Sequence, residues 1–331
     1  MRRVNPGSEG KTAAPRELVI GGDLAGARLD RALAALVPDG LRGRRRRIEA
    51  GGAQLNGAAC RHPARRMKPG DLLSLAREDA PENPAVARLL GRSGDFCFLF
   101  KGPGLHCAAL AGKGGDSLEG RLSRLCAPVL APGEEPELLQ RLDQDTSGIV
   151  CATLNNEAAR AFRAAEAAGR CEKRYLALLT GALAAPVTAH WRLDTANRRD
   201  ARLLDAEAEP LRRTEFLPLH AWEGEACARL FALLDAGSAP GALTLAACRI
   251  RMGARHQIRA HAAALGHPLL GDARYAAAGK APHTPEHFFL HHGLLAWPGH
   301  RCSVAAPWRW LEASLPPGAL RRVRAWLETA D

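Results

Sequence analysis

The apolar residues of this chain lie in short runs of strand length, with helix-length segments between them at irregular intervals. The segments NNEAARAFRAAEAAGR and HQIRAHAAALG predict helices, and the first is bounded by an asparagine and a glycine, which favour helix ends. Because strands and helices do not alternate regularly, the pattern favours an α+β fold over a doubly wound parallel sheet. Other runs predict strands: DFCFLF, EKRYLALLTG, FALLDA and ALTLAACRI.

Positive charge is concentrated near the N-terminus. The 331 residues, enough for about two domains, carry 46 Lys and Arg against 35 Asp and Glu, a net charge of +11. Residues 1–70 hold 15 of the basic and 6 of the acidic residues, so they carry +9 of that net charge. Such an excess favours a polyanionic partner, chiefly nucleic acid. The alternative is a basic tail that only aids solubility.

The sequence shows no signal for a membrane or for secretion. Its apolar runs are shorter than the roughly 18 residues of a membrane-spanning helix, so we expect no membrane partner. The opening residues MRRVNPGSEGKTAAPRE contain no apolar core and do not resemble a signal peptide, and we expect a disordered lead-in over 1–17. The nine cysteines form no CxxC pair and suit buried, reduced thiols, so we expect a cytoplasmic protein.

Residues 18–78 are predicted to form a small domain of two short helices and short strands, joined by a linker over 79–92 to a larger domain over 93–325. Arg28-Leu29-Asp30, an arginine-rich second helix, the stretch 51–57 and Gly70-Asp71 resemble the RNA-binding domain named after ribosomal protein S4. This S4-like resemblance implies that the second helix faces phosphates, which arginine binds through two parallel hydrogen bonds. A solvated basic helix face is the alternative. The RNA-binding residues expected here are Arg28, Arg42, Arg44, Arg45, Arg46 and Arg47.

Three polar segments of the larger domain could carry chemistry. They are RLDQDTSG at 141–148, EKRYLA at 172–177, and GARHQIR at 253–259 with GHPLLGD at 266–272. Taken singly, these segments have ordinary interpretations as a solvated turn, a half-buried strand and a surface arginine. Familiar cofactor and nucleophile signatures do not fit: GPGLHC lacks the third glycine of a dinucleotide site, AGKGGDS is not a phosphate-binding loop, and no GxSxG occurs.

In this order and spacing, the three segments resemble the motifs of the RluA family of pseudouridine synthases, over about residues 95–310. The resemblance implies a mixed, mainly antiparallel central β-sheet flanked by helices, and an enzyme that isomerises uridine to pseudouridine in RNA. It also implies that Asp143 is the catalytic aspartate, that Tyr175 lies against the target base, and that Arg259 pairs with the Asp143 carboxylate. Further RNA contacts are expected at Arg141, Thr146, Lys173, Arg255, His256 and Gln257.

The chemistry of the reaction agrees with these implied roles. Isomerisation breaks the bond between base and sugar, turns the base and rejoins it through carbon 5. A carboxylate can act in this reaction as a nucleophile or stabilise the sugar cation, so we expect neither a cofactor nor a metal. An adjacent arginine opposes the rise in pKa that burial imposes on a carboxylate. The expected partner is structured RNA, by resemblance 23S ribosomal RNA or a ribosome-assembly intermediate, bound by a monomer.

Four places depart from the family pattern. Gly102-Pro103 replaces the usual order after Lys101, and Ala276 follows Tyr275 where a glycine is usual. The other two departures bear on RNA contacts. Gln140 stands where a histidine commonly precedes the aspartate loop, and Ala254 stands where an arginine commonly follows the glycine. None of the four removes an expected catalytic residue. The departures at Gln140 and Ala254 leave two alternatives open: an RNA-binding or ribosome-assembly factor with little or no activity on the same fold, and an enzyme that acts on tRNA.

Overall fold

The computed structural model describes residues 17–49, 52–56, 58–60, 62–75, 86–109, 116–196, 200–234, 241–276 and 287–328. These residues divide into two compact units, one drawn from 1–81 with 109–116 and the other from 82–108 with 117–331. None of the helices in the described ranges has both the length and the apolar character needed to cross a bilayer. All nine cysteines lie in described residues as free thiols, and seven of them are buried.

The first unit is a small α+β domain on a four-stranded antiparallel sheet. Its strands are β1 (Glu17–Val19), β2 (Ala53–Leu55), β3 (Ala58–Ala59) and β4 (Leu72–Leu75), in the order β1-β4-β2-β3. Two helices, α1 (Leu29–Ala32) and α2 (Leu41–Glu49), contribute Leu29 and Ile48 to a core that also holds Leu73 of the sheet. The predicted helix pair is therefore present, and Gly51 and Gly57 of the stretch 51–57 lie outside the described residues.

The second unit is built on a larger, mixed sheet. Its strands are β5 (Ala87–Ser93), β6 (Phe96–Lys101), β7 (Glu137–Leu138), β8 (Ser147–Thr153), β9 (Glu172–Thr180), β10 (Val187–Ala189), β11 (Trp191–Asp194), β12 (Arg202–Glu207), β13 (Thr214–Glu223), β14 (Ala242–Ile250), β15 (Leu290–Trp297) and β16 (His300–Ser303). The main sheet runs β10-β13-β14-β9-β15-β8-β6-β5, with β7 beside β8 and β16 beside β15, while β11 and β12 pair separately.

Helices cover both faces of this sheet. They are α3 (Leu118–Cys126), α4 (Asn156–Ala167), α5 (Gly224–Leu233), α6 (Gln257–Ala264), α7 (Trp310–Ser314) and α8 (Pro317–Glu328). Side chains of a strand alternate between the two faces, so Leu176 and Leu178 of β9 pack with α5, α7 and α8. Tyr175 and Ala177 of the same strand pack with Ile258 of α6 on the other face. The predicted α+β fold, with a mixed and mainly antiparallel sheet flanked by helices, is confirmed.

One parallel strand pair positions the RLDQDTSG segment. β8 and β15 are the parallel neighbours of the described sheet, with Ser147 opposite His291 and Gly148 opposite His292. Gly148 has a φ of +121°, and a Cβ atom placed there would lie 2.2 Å from the carbonyl oxygen of His292. Only glycine allows this approach. The RLDQDTSG segment therefore enters the middle of the sheet directly after its turn.

Two expectations about chain organisation were wrong. FALLDA was expected to be a strand, but residues 224–233 form α5, because Cys227, Leu230 and Phe231 repeat at helical spacing and are buried. The linker predicted over 79–92 ends earlier, because β5 begins at Ala87 and pairs with the buried strand β6. The rest of that linker, and 1–16 of the predicted lead-in, lie outside the described residues.

Candidate active site

Asp143 lies in the turn that precedes β8, and Arg259 lies in the first turn of α6. The Nη1 atom of Arg259 donates a hydrogen bond of 2.9 Å to Oδ2 of Asp143. The Asp143 side chain remains 22% exposed, whereas that of Arg259 is 7% exposed. Two segments that are 116 residues apart in the sequence therefore meet at one carboxylate, and the contact implied by the resemblance is present.

A second carboxylate fixes the arginine. Asp272, whose side chain is 1% exposed, accepts hydrogen bonds from Nε of Arg259 at 2.6 Å and from Nη2 at 2.9 Å. The guanidinium also lies over the Phe288 ring, 4.3 Å from its centroid. Burial lowers the pKa of Arg259, but the hydrogen bonds and negative charges of Asp272 and Asp143 outweigh it and raise the pKa. The arginine is therefore a fixed cation with one arm directed at Asp143.

The second oxygen of Asp143 faces a different neighbour. Oδ1 lies 3.7 Å from Nε2 of His256, too far for a direct hydrogen bond. Among described residues, no group donates a hydrogen bond to Oδ1. His256 itself has a φ of +53°, in the left-handed region that a side chain other than glycine rarely adopts. The site thus holds one oxygen of the carboxylate firmly and leaves the other available.

A buried lysine holds the Asp143 turn in place. Nζ of Lys101, at the end of β6, donates hydrogen bonds to the carbonyl oxygens of Gly102, Leu105 and Gln144 at 2.7–2.9 Å. Burial lowers the pKa of Lys101 to about 8, and the negative charges of Asp145 and Asp143 oppose that shift. The lysine therefore links two loops on the same side of the site.

Tyr175, the residue expected to lie against the base, is 6% exposed on β9. Its ring stacks on His292 with centroids 4.4 Å apart and an interplanar angle of 15°. Burial raises the pKa of the Tyr175 hydroxyl, and the charge of Asp143 raises it further, so the two side chains share one region. Only the ring face opposite His292 could meet a base.

Three of the expected RNA contacts are buried and serve the fold. Lys173 is 4% exposed and forms an ion pair with Glu166 of α4. Gln257 is 2% exposed, accepts from the Ala254 amide through Oε1 and donates through Nε2 to groups at 212–214. Thr146 is 2% exposed and donates its amide to the Asp143 carbonyl. In this structure these three side chains are occupied by contacts within the protein, and their contact with RNA stays a prediction.

The remaining expected contacts in the second unit are accessible. Arg141 is exposed and Arg255 is half-buried. His256 lies in the site, with its Nε2 atom 3.7 Å from Oδ1 of Asp143.

In the first unit, the expected arginines surround two aspartates. Asp30, which is fully buried, accepts from Nε and Nη2 of Arg28 at 3.1 and 2.9 Å and from Nε of Arg45 at 2.7 Å. These hydrogen bonds lower the pKa of Asp30 to about 2, and burial opposes the shift. Arg44 donates to the backbone carbonyls of Asp30 and Asp39. Arg47 pairs with Asp39, Arg42 is exposed and Arg46 is half-buried.

Comparison with known proteins decides the family. The model of a family described as RNA pseudouridylate synthase matches residues 98–264, half of the chain. The chain belongs to the RNA pseudouridylate synthase family. It is therefore an isomerase of the pseudouridine synthase class, as the resemblance implied.

Individual relatives of this pseudouridine synthase are distant. It is 26% identical over 276 residues to ribosomal large subunit pseudouridine synthase D of Zymomonas mobilis, covering 79% of this chain and 81% of the relative. It is 28% identical over 286 residues to the protein of the same name in Xanthomonas campestris, with 83% and 79% covered. Among solved structures, human RNA pseudouridylate synthase domain containing 1 shares the fold, with a TM-score of 0.54, 22% identity, and 76% of this chain and 99% of that chain covered.

Sequence reasoning missed three side chains of this synthase's site. Asp272 stood within the quoted GHPLLGD segment, but nothing local indicated that it would bind Arg259. Tyr275 is one of two tyrosines in the chain, and its ring centroid lies 5.2 Å from the Arg259 guanidinium carbon. Lys101 follows the apolar run FCFLF, and a lysine at the end of a buried strand was the available signal for a structural or functional cation.

Proposed function

We propose that this synthase converts specific uridines of large-subunit ribosomal RNA to pseudouridine, with Asp143 as the catalytic carboxylate. The observation that carries the proposal is the asymmetry of Asp143, with Oδ2 held by a buried guanidinium and Oδ1 open to the site. A carboxylate held in this way is positioned to attack the sugar at carbon 1′ or to stabilise its cation while the base is detached.

The supporting residues have distinct roles in this proposal. Arg259 keeps Asp143 charged and oriented, and Asp272 keeps Arg259 from turning away. Tyr175, with one face against His292, offers its other face to an everted uracil, and such stacking is worth about 1–3 kcal/mol per base. The target uridine must leave its stack to reach the site, which costs a few kcal/mol.

The first unit is proposed to supply affinity for RNA as an S4-like domain. Arg28 and Arg45 hold a buried carboxylate yet keep 38% and 46% of their own side chains exposed. Arg42 is exposed on the same helix as Arg45. Guanidinium groups that are already oriented by Asp30 lose less freedom when they bind a phosphate.

Ribosomal RNA is favoured as substrate by the relatives. The two bacterial relatives named above carry ribosomal large subunit names and match across about four-fifths of this chain. The departures at Gln140 and Ala254 leave Asp143, Arg259 and Asp272 in contact. No contact in the described site therefore favours an inactive factor over an enzyme.

The test is a map of pseudouridines in total RNA from cells that lack or express the protein. We expect sites in large-subunit ribosomal RNA to disappear without it and to return with the wild-type chain but not with Asp143→Asn. Asp145→Asn is the matched control, because that carboxylate pairs with His287 and not with Arg259, and it should restore the sites. An unchanged map, or restoration by Asp143→Asn, would overturn the proposal, and lost sites in tRNA would replace the proposed substrate.

A further inference from the structure

His256 lies at the N-terminus of α6 in a conformation that is costly for its residue type. Its φ of +53° is shared, among described residues other than glycine, by Asn56 alone. Positions of this kind cost about 1–3 kcal/mol and persist where the surrounding structure fixes them. The strained backbone directs the imidazole between two polar partners, Tyr275 and Asp143.

The Tyr275 hydroxyl is fixed from its other side. The backbone amide of Ala201 donates to this oxygen at 2.9 Å, and the hydroxyl oxygen lies 2.9 Å from Nδ1 of His256. The carbonyl of Ala201 is more distant, at 3.3 Å. The hydroxyl hydrogen has two acceptors in reach, the Ala201 carbonyl oxygen and Nδ1 of His256. Donation to Nδ1 is favoured because the opposite tautomer would set the lone pair of Nε2 against Oδ1 of Asp143.

This donation determines which nitrogen of the neutral His256 ring carries the hydrogen. A neutral imidazole that accepts at Nδ1 carries its hydrogen on Nε2. Nε2 is the atom 3.7 Å from Oδ1 of Asp143, and no described group accepts a hydrogen bond from it in this structure. Catalytic hydrogen bonds are often long before substrate binds and shorten in the complex.

We propose that His256 is a positioning residue for Asp143, with Tyr275 orienting its neutral ring so that Nε2–H donates to one lone pair of Oδ1 and leaves the other lone pair free to face the sugar. The proposal rests on the proposed function, because it assumes that Asp143 carries the reaction. It assigns to His256 an action on the carboxylate in place of the RNA contact expected from the sequence. Arg259 and His256 then control the two oxygens of one carboxylate.

Protonation of His256 would disrupt this arrangement. An imidazolium carries hydrogen on both nitrogens, so Nδ1 could no longer accept from Tyr275, and a full positive charge at Nε2 would weaken Asp143 as a nucleophile. Burial lowers the pKa of His256 below its usual value of about 6.5, Arg259 and Arg274 act in the same direction, and Asp143 and Asp272 oppose them. The rate constant should therefore fall on the acid side, as pH drops through that lowered pKa.

The charged and titratable side chains that face His256 are aspartates, arginines and a tyrosine. They are Asp143, Asp200, Arg259, Asp272, Arg274 and Tyr275. Histidine is the side chain whose usual pKa lies between about pH 5 and 8. His287 and His292 also lie near the site, so the signature of position 256 is an acid limb of the wild-type rate that disappears in a His256 variant.

Two variants of the full-length protein separate the roles of the two ring nitrogens. His256→Gln places a non-titrating amide nitrogen where Nε2 stands, so kcat at pH 7.5 should stay within about threefold of wild type and the acid limb should disappear. His256→Asn places its amide near Nδ1 and cannot reach Asp143, so kcat should fall roughly ten- to a hundredfold, the loss of one hydrogen bond to a charged group. Asn also tolerates the left-handed backbone, so misfolding is not the expected cause.

The experiment measures single-turnover rates from pH 5 to 8 for wild type, both variants and Asp143→Asn. The role of His256 would be overturned if the wild-type acid limb persisted in His256→Gln, or if His256→Asn and wild type had equal rates. If Asp143→Asn were inactive in the same experiment, the proposed function would still hold. An active Asp143→Asn would overturn both. As a second readout, ¹⁵N NMR of the His256 ring, assigned by its loss in His256→Gln, should show hydrogen on Nε2 at pH 7.5, and hydrogen on Nδ1 would contradict the proposal.

Discussion

The two units of the molecule each bury an aspartate–arginine cluster, and the clusters have opposite compositions. In the first unit, one fully buried carboxylate, Asp30, holds two arginines that stay 38% and 46% exposed. In the second unit, one buried arginine, Arg259, holds two carboxylates, of which Asp272 is 1% and Asp143 is 22% exposed. The first cluster therefore carries one excess positive charge toward solvent, and the second carries one excess negative charge toward its site.

The difference shows that the same ion pair can expose either sign of charge, depending on which ion is buried at its centre. A buried charge is costly unless it is paired and fully hydrogen bonded, so each cluster saturates the ion at its centre. The partly exposed members of each cluster, Arg28 and Arg45 in the first and Asp143 in the second, then carry its net charge. Guanidinium groups bind RNA phosphates through charged hydrogen bonds, and a carboxylate stabilises the positive charge that develops on a sugar. Under the proposed function, RNA affinity and chemistry therefore lie in separate clusters.

The largest expected effect comes from removing the ion at the centre of the second cluster. Arg259→Met leaves Asp272 buried without its cation, so the free energy of unfolding should fall by about 3–5 kcal/mol. Arg229→Met is the control, because Arg229 and its partner Glu225 are 68% and 85% exposed and such pairs contribute about 0–1 kcal/mol. Chemical denaturation measures both. Equal losses in the two variants would show that Arg259 is not the stabilising centre of its cluster.

A smaller effect is expected from an outer arginine of the first cluster. Arg45→Gln leaves Arg28 bound to Asp30 through two hydrogen bonds, so the fold of the unit should persist. RNA affinity should weaken, and the slope of log K against log salt should become shallower by about 1, the loss of one phosphate contact. Salt titration of RNA binding measures this slope, with Arg229→Gln as the control. A slope equal to that of wild type would remove Arg45 from the RNA surface.

The smallest expected effect concerns acid stability of the first cluster. The folded pKa of Asp30 is about 2, below the usual aspartate value of about 3.9. Its stabilisation is therefore complete above about pH 4 and is lost as pH falls toward 2. Hydrogen exchange of amides in 29–48 should accelerate over this range in wild type, and Asp30→Asn should lack that component. Identical pH dependence in the two proteins would show that Asp30 does not stabilise the unit in this way.

The sequence was sufficient for the parts of the molecule that depend on local pattern. The helix over α4 follows from its asparagine cap and the buried spacing of Ala158, Phe162 and Ala165. The meeting of Asp143 and Arg259 was implied by motif resemblance, since nothing between residues 143 and 259 could show it locally. The roles of these residues in catalysis remain predictions.

The remaining features depend on contacts between distant segments. Lys173 was expected to contact RNA, but β9 lies inside a sheet whose two faces are covered by helices, so side chains on both faces of the strand are buried. Asp272 binds Arg259 because a turn after α6 returns to that helix, a geometry that the sequence pattern does not contain. FALLDA was too short to separate helix from strand without the preceding Cys227, which completes its helical spacing.

The separation of chemistry from affinity is tested most directly by Asp143→Asn at saturating RNA. Its single-turnover rate of pseudouridine formation should fall at least about 10²- to 10⁴-fold, as expected when a positioned catalytic group is removed. Its affinity for RNA should equal that of wild type, because the cationic cluster of the first unit is untouched. Pseudouridine formation at the wild-type rate, or loss of affinity in place of rate, would contradict the assignment of chemistry to this carboxylate.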